Sequence, residues 1–102
     1  MAKFELRVYN TQNGEVEKTV KRGFMPLAIY VRFQKLAEKA ASDKYKSDEA
    51  MYEDLREPVL DLFPELTAEE YRNNVDIAEV LQLWKRILDK SSEISDEDSK
   101  NA

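Results

Sequence analysis

The sequence contains no histidine and no cysteine, and among its 102 residues there are only two glycines and three prolines. Without histidine the commonest general base and the commonest metal ligand are missing. Without cysteine there is no thiol nucleophile, zinc-thiolate site or disulfide. Histidine-based triads, zinc fingers and redox motifs are therefore excluded. Gly14 and Gly23 stand alone, and a phosphate cradle needs several glycines where backbone N–H groups approach an anion. The start, MAKFELRV, has no long apolar run of the kind that forms a signal peptide or a membrane span. The chain reads as cytosolic and soluble, of a length that suits one domain with one core.

Charge is what the sequence has in quantity: 16 basic against 21 acidic residues, net −5. Its distribution is lopsided. Residues 1–46 carry ten basic and five acidic side chains, and residues 47–102 carry six and 16, so the first part is +5 and the second −10. Two readings are open. Each part has a solvated charged face, or the opposed fields favour head-to-tail self-association or an oriented partner.

The segment KFELRVY-NTQNGE-VEKTVKR alternates apolar and polar residues, with Phe4, Leu6 and Val8 on one face and Val16 and Val20 on the face of the returning strand. Asn13-Gly14 tolerates positive φ, so the spacing predicts a β-hairpin over residues 3–22. A two-stranded hairpin is marginal alone and needs support from the helices that follow. Pro26 suits the first turn of a helix. From about 26 to 41, Ile29, Tyr30, Phe33, Leu36, Ala37 and Ala40 form a stripe at helical spacing, while Leu27 and Val31 project from the opposite side. Ser47 as N-cap, with Asp48 and Glu49 favoured by the helix dipole, opens a helix over 47–63. Its stripe is Met51, Tyr52, Leu55, Val59, Leu62 and Phe63, and Pro58 predicts a kink or short break near 54–58. Thr67 and Glu70 form a capping box for a short helix over 67–72. Asp76 caps the last helix, 76–89, whose stripe of Ile77, Val80, Leu81, Trp84, Ile87 and Leu88 makes Trp84 the expected core anchor. The fold class is thus mainly α (α+β): an N-terminal hairpin on a small bundle of three to four helices, one globular domain over 1–90. Residues 91–102, SSEISDEDSKNA, are too polar to offset their ordering entropy and read as an acidic disordered tail.

Candidate chemistry is sparse. The carboxylate pairs Asp48-Glu49, Glu53-Asp54 and Glu69-Glu70 are neighbours in sequence, about 100° apart around a helix, and do not converge on a pocket. No catalytic residue, cofactor site or metal site is assigned. Lys18, Lys21, Arg22, Arg32 and Lys35 could form a basic patch, but the chain is acidic overall and shows neither aromatic-basic interleaving nor a helix basic at its start, which argues against nucleic acid. One segment stands out. In Arg22-Gly23-Phe24-Met25-Pro26-Leu27 large apolar side chains lie between elements. Either Phe24 and Met25 seal the hairpin onto the helices, or Phe24, Met25, Leu27 and Val31 form a surface for a partner or a second copy.

The start KFELRVYNTQNGEVEKTVKRGFMPLAIYVRFQKLAEK, the joint FPELTAEEY and the helix VDIAEVLQLWKRI resemble the tail assembly chaperones of long-tailed phages that infect Gram-positive bacteria, over roughly residues 3–90. The resemblance implies a non-enzymatic protein of the host cytoplasm, absent from the finished virion. It implies a helical tape measure protein as partner, kept soluble while tail tube subunits polymerise around it. The major tail protein, and a longer form of the same chain made by translational frameshifting, are implied as further partners, as is a homo-oligomer. A small phage-encoded regulatory adaptor acting on a host protein or nucleic acid is the rival reading. Neither resemblance nor spacing transfers a binding motif residue by residue.

Overall fold

The computed structural model describes residues 4–42 and 44–89; the acidic tail expected over 91–102 lies outside the described residues. The order is β1 (Phe4–Tyr9), β2 (Val16–Arg22), α1 (Leu27–Ala41), α2 (Asp48–Leu62), α3 (Ala68–Asn73) and α4 (Ile77–Leu88). A hairpin followed by four helices is the α+β arrangement that the periodicities predict.

β1 and β2 pair antiparallel, with Phe4 opposite Arg22, Leu6 opposite Val20 and Val8 opposite Lys18. The connecting turn is longer than a two-residue one. Asn10 N–H donates to Glu15 O, Gly14 N–H donates to Asn10 O, each at 2.8 Å, and Gly14 sits at φ 74°. Phe4, Leu6, Val8 and Val20 are fully buried, as alternation requires. Val16 is not: it is 46% exposed. The register steps between Val8 and Tyr9, so that Tyr9 faces Val16 and Glu17 is extra. This bulge turns Val16 to the solvent face, a reversal that a strict period of two does not foresee.

The hairpin rests on α4 and on the joint before it. Tyr9 N–H donates to Asn74 O at 2.7 Å, and Asn74 Nδ2 returns a bond to Tyr9 O at 2.8 Å. Glu79 of α4 accepts from Arg7 Nε at 2.9 Å and from the Tyr9 hydroxyl. At Tyr9 the outer edge of β1 is thereby tied to the helical layer.

In α1, Ile29 and Phe33 are buried, and Tyr30, Leu36, Ala37 and Ala40 are partly buried against the core. In α2, Leu55, Val59 and Leu62 carry the core face, which Phe63 continues. Of the kink or short break expected near 54–58, the break does not occur. The helix runs through Pro58, which is itself buried; packing of the ring into the core offsets the lost backbone hydrogen bond. The core face of α4 is Val80, Leu83, Trp84 and Ile87, which adds Leu83 to the predicted stripe and leaves Ile77 45% exposed. Trp84 is 8% exposed and its indole Nε1 donates to Phe33 O at 3.2 Å, tying α4 to α1.

The capping residues act as their sequence positions indicate. Ser47 Oγ accepts from Ala50 N at 3.2 Å, and Asp76 Oδ1 accepts from Ala78 N at 2.8 Å. Thr67 and Glu70 close a reciprocal capping box at 3.1 and 3.0 Å. Each satisfies a backbone donor that the first turn leaves free.

Candidate interaction surface

The junction between β2 and α1 positions the four residues singled out as a partner surface. Pro26 takes φ −58°, ψ 138°, and its carbonyl accepts from Ile29 and Tyr30 at 3.1 and 3.0 Å, so the helix begins without a side-chain cap. Around this fixed point the apolar residues separate. Met25 is half-buried and packs against the core. Phe24 and Leu27 stand in solvent, at 61% and 76% exposure, the two most exposed large apolar side chains among the described residues. Val31, one turn beyond Leu27, is half-buried. Met25 thus packs inward, whereas Phe24 and Leu27 stand clear of the core. The hairpin does not cover Leu27.

Arg22 holds the patch from below. Its guanidinium lies 4.7 Å from the centroid of the Phe24 ring, and Nη1 donates to Leu62 O at 3.4 Å. Nε of the same side chain is buried and has no hydrogen-bond partner. A cation over the ring restrains an otherwise solvent-facing phenylalanine and keeps its other face available.

The basic patch suggested by sequence is divided by ion pairs. Lys18 bridges to Glu70 at 3.0 Å and donates to Glu65 O at 3.2 Å. Arg32 is forked between Glu57 and Asp61. With Arg22 on Phe24 and Leu62, three of the five cations have local partners. Glu70 is held below the usual carboxylate range, first by the Thr67 backbone N–H and then by Lys18. Among the described residues no cluster of acidic side chains is arranged to hold a metal ion, and no helix is long and apolar enough to cross a membrane.

The family model described as "Phage tail chaperone protein" matches residues 1–102. The chain belongs to the phage tail chaperone family. No curated protein and no solved structure matches it significantly.

In this tail chaperone two surface features escape the sequence pattern. A cleft of about 300 Å³ opens between α2, α3 and the start of α4, lined by Tyr52, Arg56, Tyr71, Val75 and Ile77 among others. Of its lining only Tyr52, Ile77 and Val80 belong to the predicted stripes, and only the crossing of three helices brings them beside Arg56, Tyr71 and Val75. The second is the outer edge of β2. Nothing in a strand's own sequence states which of its neighbours is missing. Phe24 and Leu27, by contrast, could be found because they interrupt or oppose a periodic stripe.

Proposed function

We propose that this tail chaperone is a non-enzymatic assembly factor of the host cytoplasm that binds the phage tape measure protein, keeps it soluble and promotes assembly of the tail tube around it. The observation that carries this reading is the presence, on a chain of this family, of Phe24 and Leu27 held in solvent at the start of α1. A long helical client offers many similar apolar stripes. Small subunits with a shallow apolar contact, flanked by the adaptable Met25, suit weak and repeated engagement of such stripes better than one deep pocket does. The major tail protein and a longer frameshifted form of the chain are further partners in this reading, and the protein leaves before the virion is complete. The adaptor reading loses support where it involves nucleic acid, because two of the five cations it would use, Lys18 and Arg32, are ion-paired within the molecule.

Co-expression tests it. The tape measure protein is expected in the soluble fraction only when this chain is present, and an equally insoluble client with and without it contradicts the reading. Phe24→Asp and Leu27→Asp are expected to abolish the rescue while changing the stability of the chaperone by no more than about 0.5 kcal/mol, as surface substitutions do. Loss of helicity in these variants would instead place both side chains in the core.

A further inference from the structure

The cleft between α2, α3 and the start of α4 joins an apolar lining to an excess of positive charge. Tyr52, Tyr71 and Val75, all half-buried, and the buried Val80 line it, together with Ile77, which keeps 45% of its surface in solvent. Three charged residues complete the lining: Glu53, Arg56 and Arg72. Both guanidiniums turn to the one carboxylate, Arg56 at 3.7 Å and Arg72 at 3.2 Å, and neither has another ion-pair partner among the described residues. Each guanidinium carries five N–H donors, so the pair retains donors for a second carboxylate. An aliphatic side chain with acidic neighbours matches this chemistry.

The same chain contains such a segment. Residues 91–102, SSEISDEDSKNA, have four acidic side chains, one basic and a single large apolar one, Ile94, which follows Glu93 and precedes Asp96, Glu97 and Asp98. These residues lie outside the described ones. From Ile77 to Leu88 the axis of α4 rises about 17 Å at 1.5 Å per residue. Six extended residues, from Leu88 to Ile94, reach about 20 Å. Ile94 can therefore return along α4 to the level of Ile77.

We propose that Ile94 docks in this cleft of its own chain, with the carboxylates around it meeting Arg56 and Arg72. A short link holds a segment near its site at an effective concentration on the order of millimolar, so one apolar anchor and exposed ion pairs that are weak singly suffice. Segments too polar to build a core order on binding instead. Docking covers Ile77, and another protein enters the cleft only by displacing residues 93–98. The proposal rests on the cleft and its charge and is independent of the proposed function.

A spin label tests it on the full chain. The sequence has no cysteine, so Ser99→Cys gives a single site for a nitroxide. At about 0.1 M salt, where charges more than about 10 Å apart are largely screened, the amide NMR signals of Arg56, Arg72 and Ile77 are expected to lose intensity relative to the sample with the nitroxide reduced. Ile94→Asp and Arg72→Glu, each added to Ser99→Cys, are expected to restore those signals, with circular dichroism reporting unchanged helicity. Ile94→Asp is the sharper variant, because it adds acidic charge: attraction to cations alone would strengthen in it, whereas docking is lost. Cleft signals that never broaden, or broadening that survives Ile94→Asp, overturns the proposal. So does broadening that arises in a mixture of isotope-labelled unmodified chain with spin-labelled unenriched chain, which would place the segment on a second copy.

Discussion

Tyr45 and Tyr71 are both pushed up to about 12, chiefly by burial, yet they differ in what their hydroxyls find. Tyr71 donates to Tyr52 O at 2.8 Å. The Tyr45 hydroxyl is buried beside Asp54 without completing a hydrogen bond, and Lys39 Nζ lies 4.3 Å from the centroid of its ring. Tyr71→Phe is therefore expected to cost about 0.5–1.5 kcal/mol, while Tyr45→Phe is neutral or stabilising, because it removes a desolvated group with no partner. Urea titration of both variants checks the contrast. For both tyrosines the folded state holds the proton more tightly than the unfolded chain does. Their contribution is complete below pH 10 and is lost as the pH rises from 10 towards 12, so the melting temperature should fall across that window. Trp84→Ala should cost roughly 3–5 kcal/mol, from the vacated volume and the lost link to Phe33; a loss under about 1 kcal/mol would contradict its burial. Trp84 was legible because it sits in a clean helical stripe. Tyr45 was not, since it lies outside any periodic element and only the fold places it against α1 and α2.

Among the elements, start signals proved more legible than interruptions. Ser47, Thr67 and Asp76 could be read directly, because an N-cap depends on residues within one turn of it. Pro58 and the β-bulge could not, because their outcome depends on what packs against them. A buried ring keeps α2 continuous through Pro58, and one extra residue in β2 moves Val16 from the core face to solvent. The same dependence explains why Leu83 was missed and Ile77 was placed too deep. Both lie at the margins of a stripe whose rotation is set by β1 and α1. Thr67→Ala should cost about 1 kcal/mol by thermal melting. It should leave most of the Glu70 pKa depression in place, since the Thr67 backbone N–H, the largest cause, is kept and only the hydroxyl, the smallest, is lost. Because that pKa is depressed in the folded state, Glu70 stabilises above the unfolded carboxylate pKa and the benefit disappears as pH falls through the folded one. The acid limb of the stability profile should accordingly be shallower in Glu70→Gln than in the wild type.

At the scale of the whole molecule, the lopsided charge becomes an internal arrangement. Arg7 pairs with Glu79, Lys18 with Glu70, Arg32 with Glu57 and Asp61, and Lys39 with Asp54. Every one of these contacts joins the basic first part of the chain to the acidic second part. Exposed pairs contribute little singly, on the order of 0–1 kcal/mol each, and are screened by salt. Raising sodium chloride from about 0.05 to 1 M should therefore lower the unfolding free energy by no more than about 2 kcal/mol in chemical denaturation. A larger loss would mean that the pairs act as a coupled network. The sequence displayed the imbalance but not its destination, because which cation meets which carboxylate is decided by topology. The hydrogen bonds of Asn74 and the seat of Trp84 follow the same long-range logic. β1, the first strand made, finds its edge partner at Asn74 and its counter-charge at Glu79, and α1 finds its indole at Trp84. On the ribosome, the hairpin and α1 emerge ahead of what answers them: the counter-charges of Arg32 and Lys39 arrive with α2, that of Lys18 with α3, and Glu79 for Arg7 comes last, with the apolar face of α4. This chaperone closes the fold of its described residues only once α4, the last element in their order, has emerged.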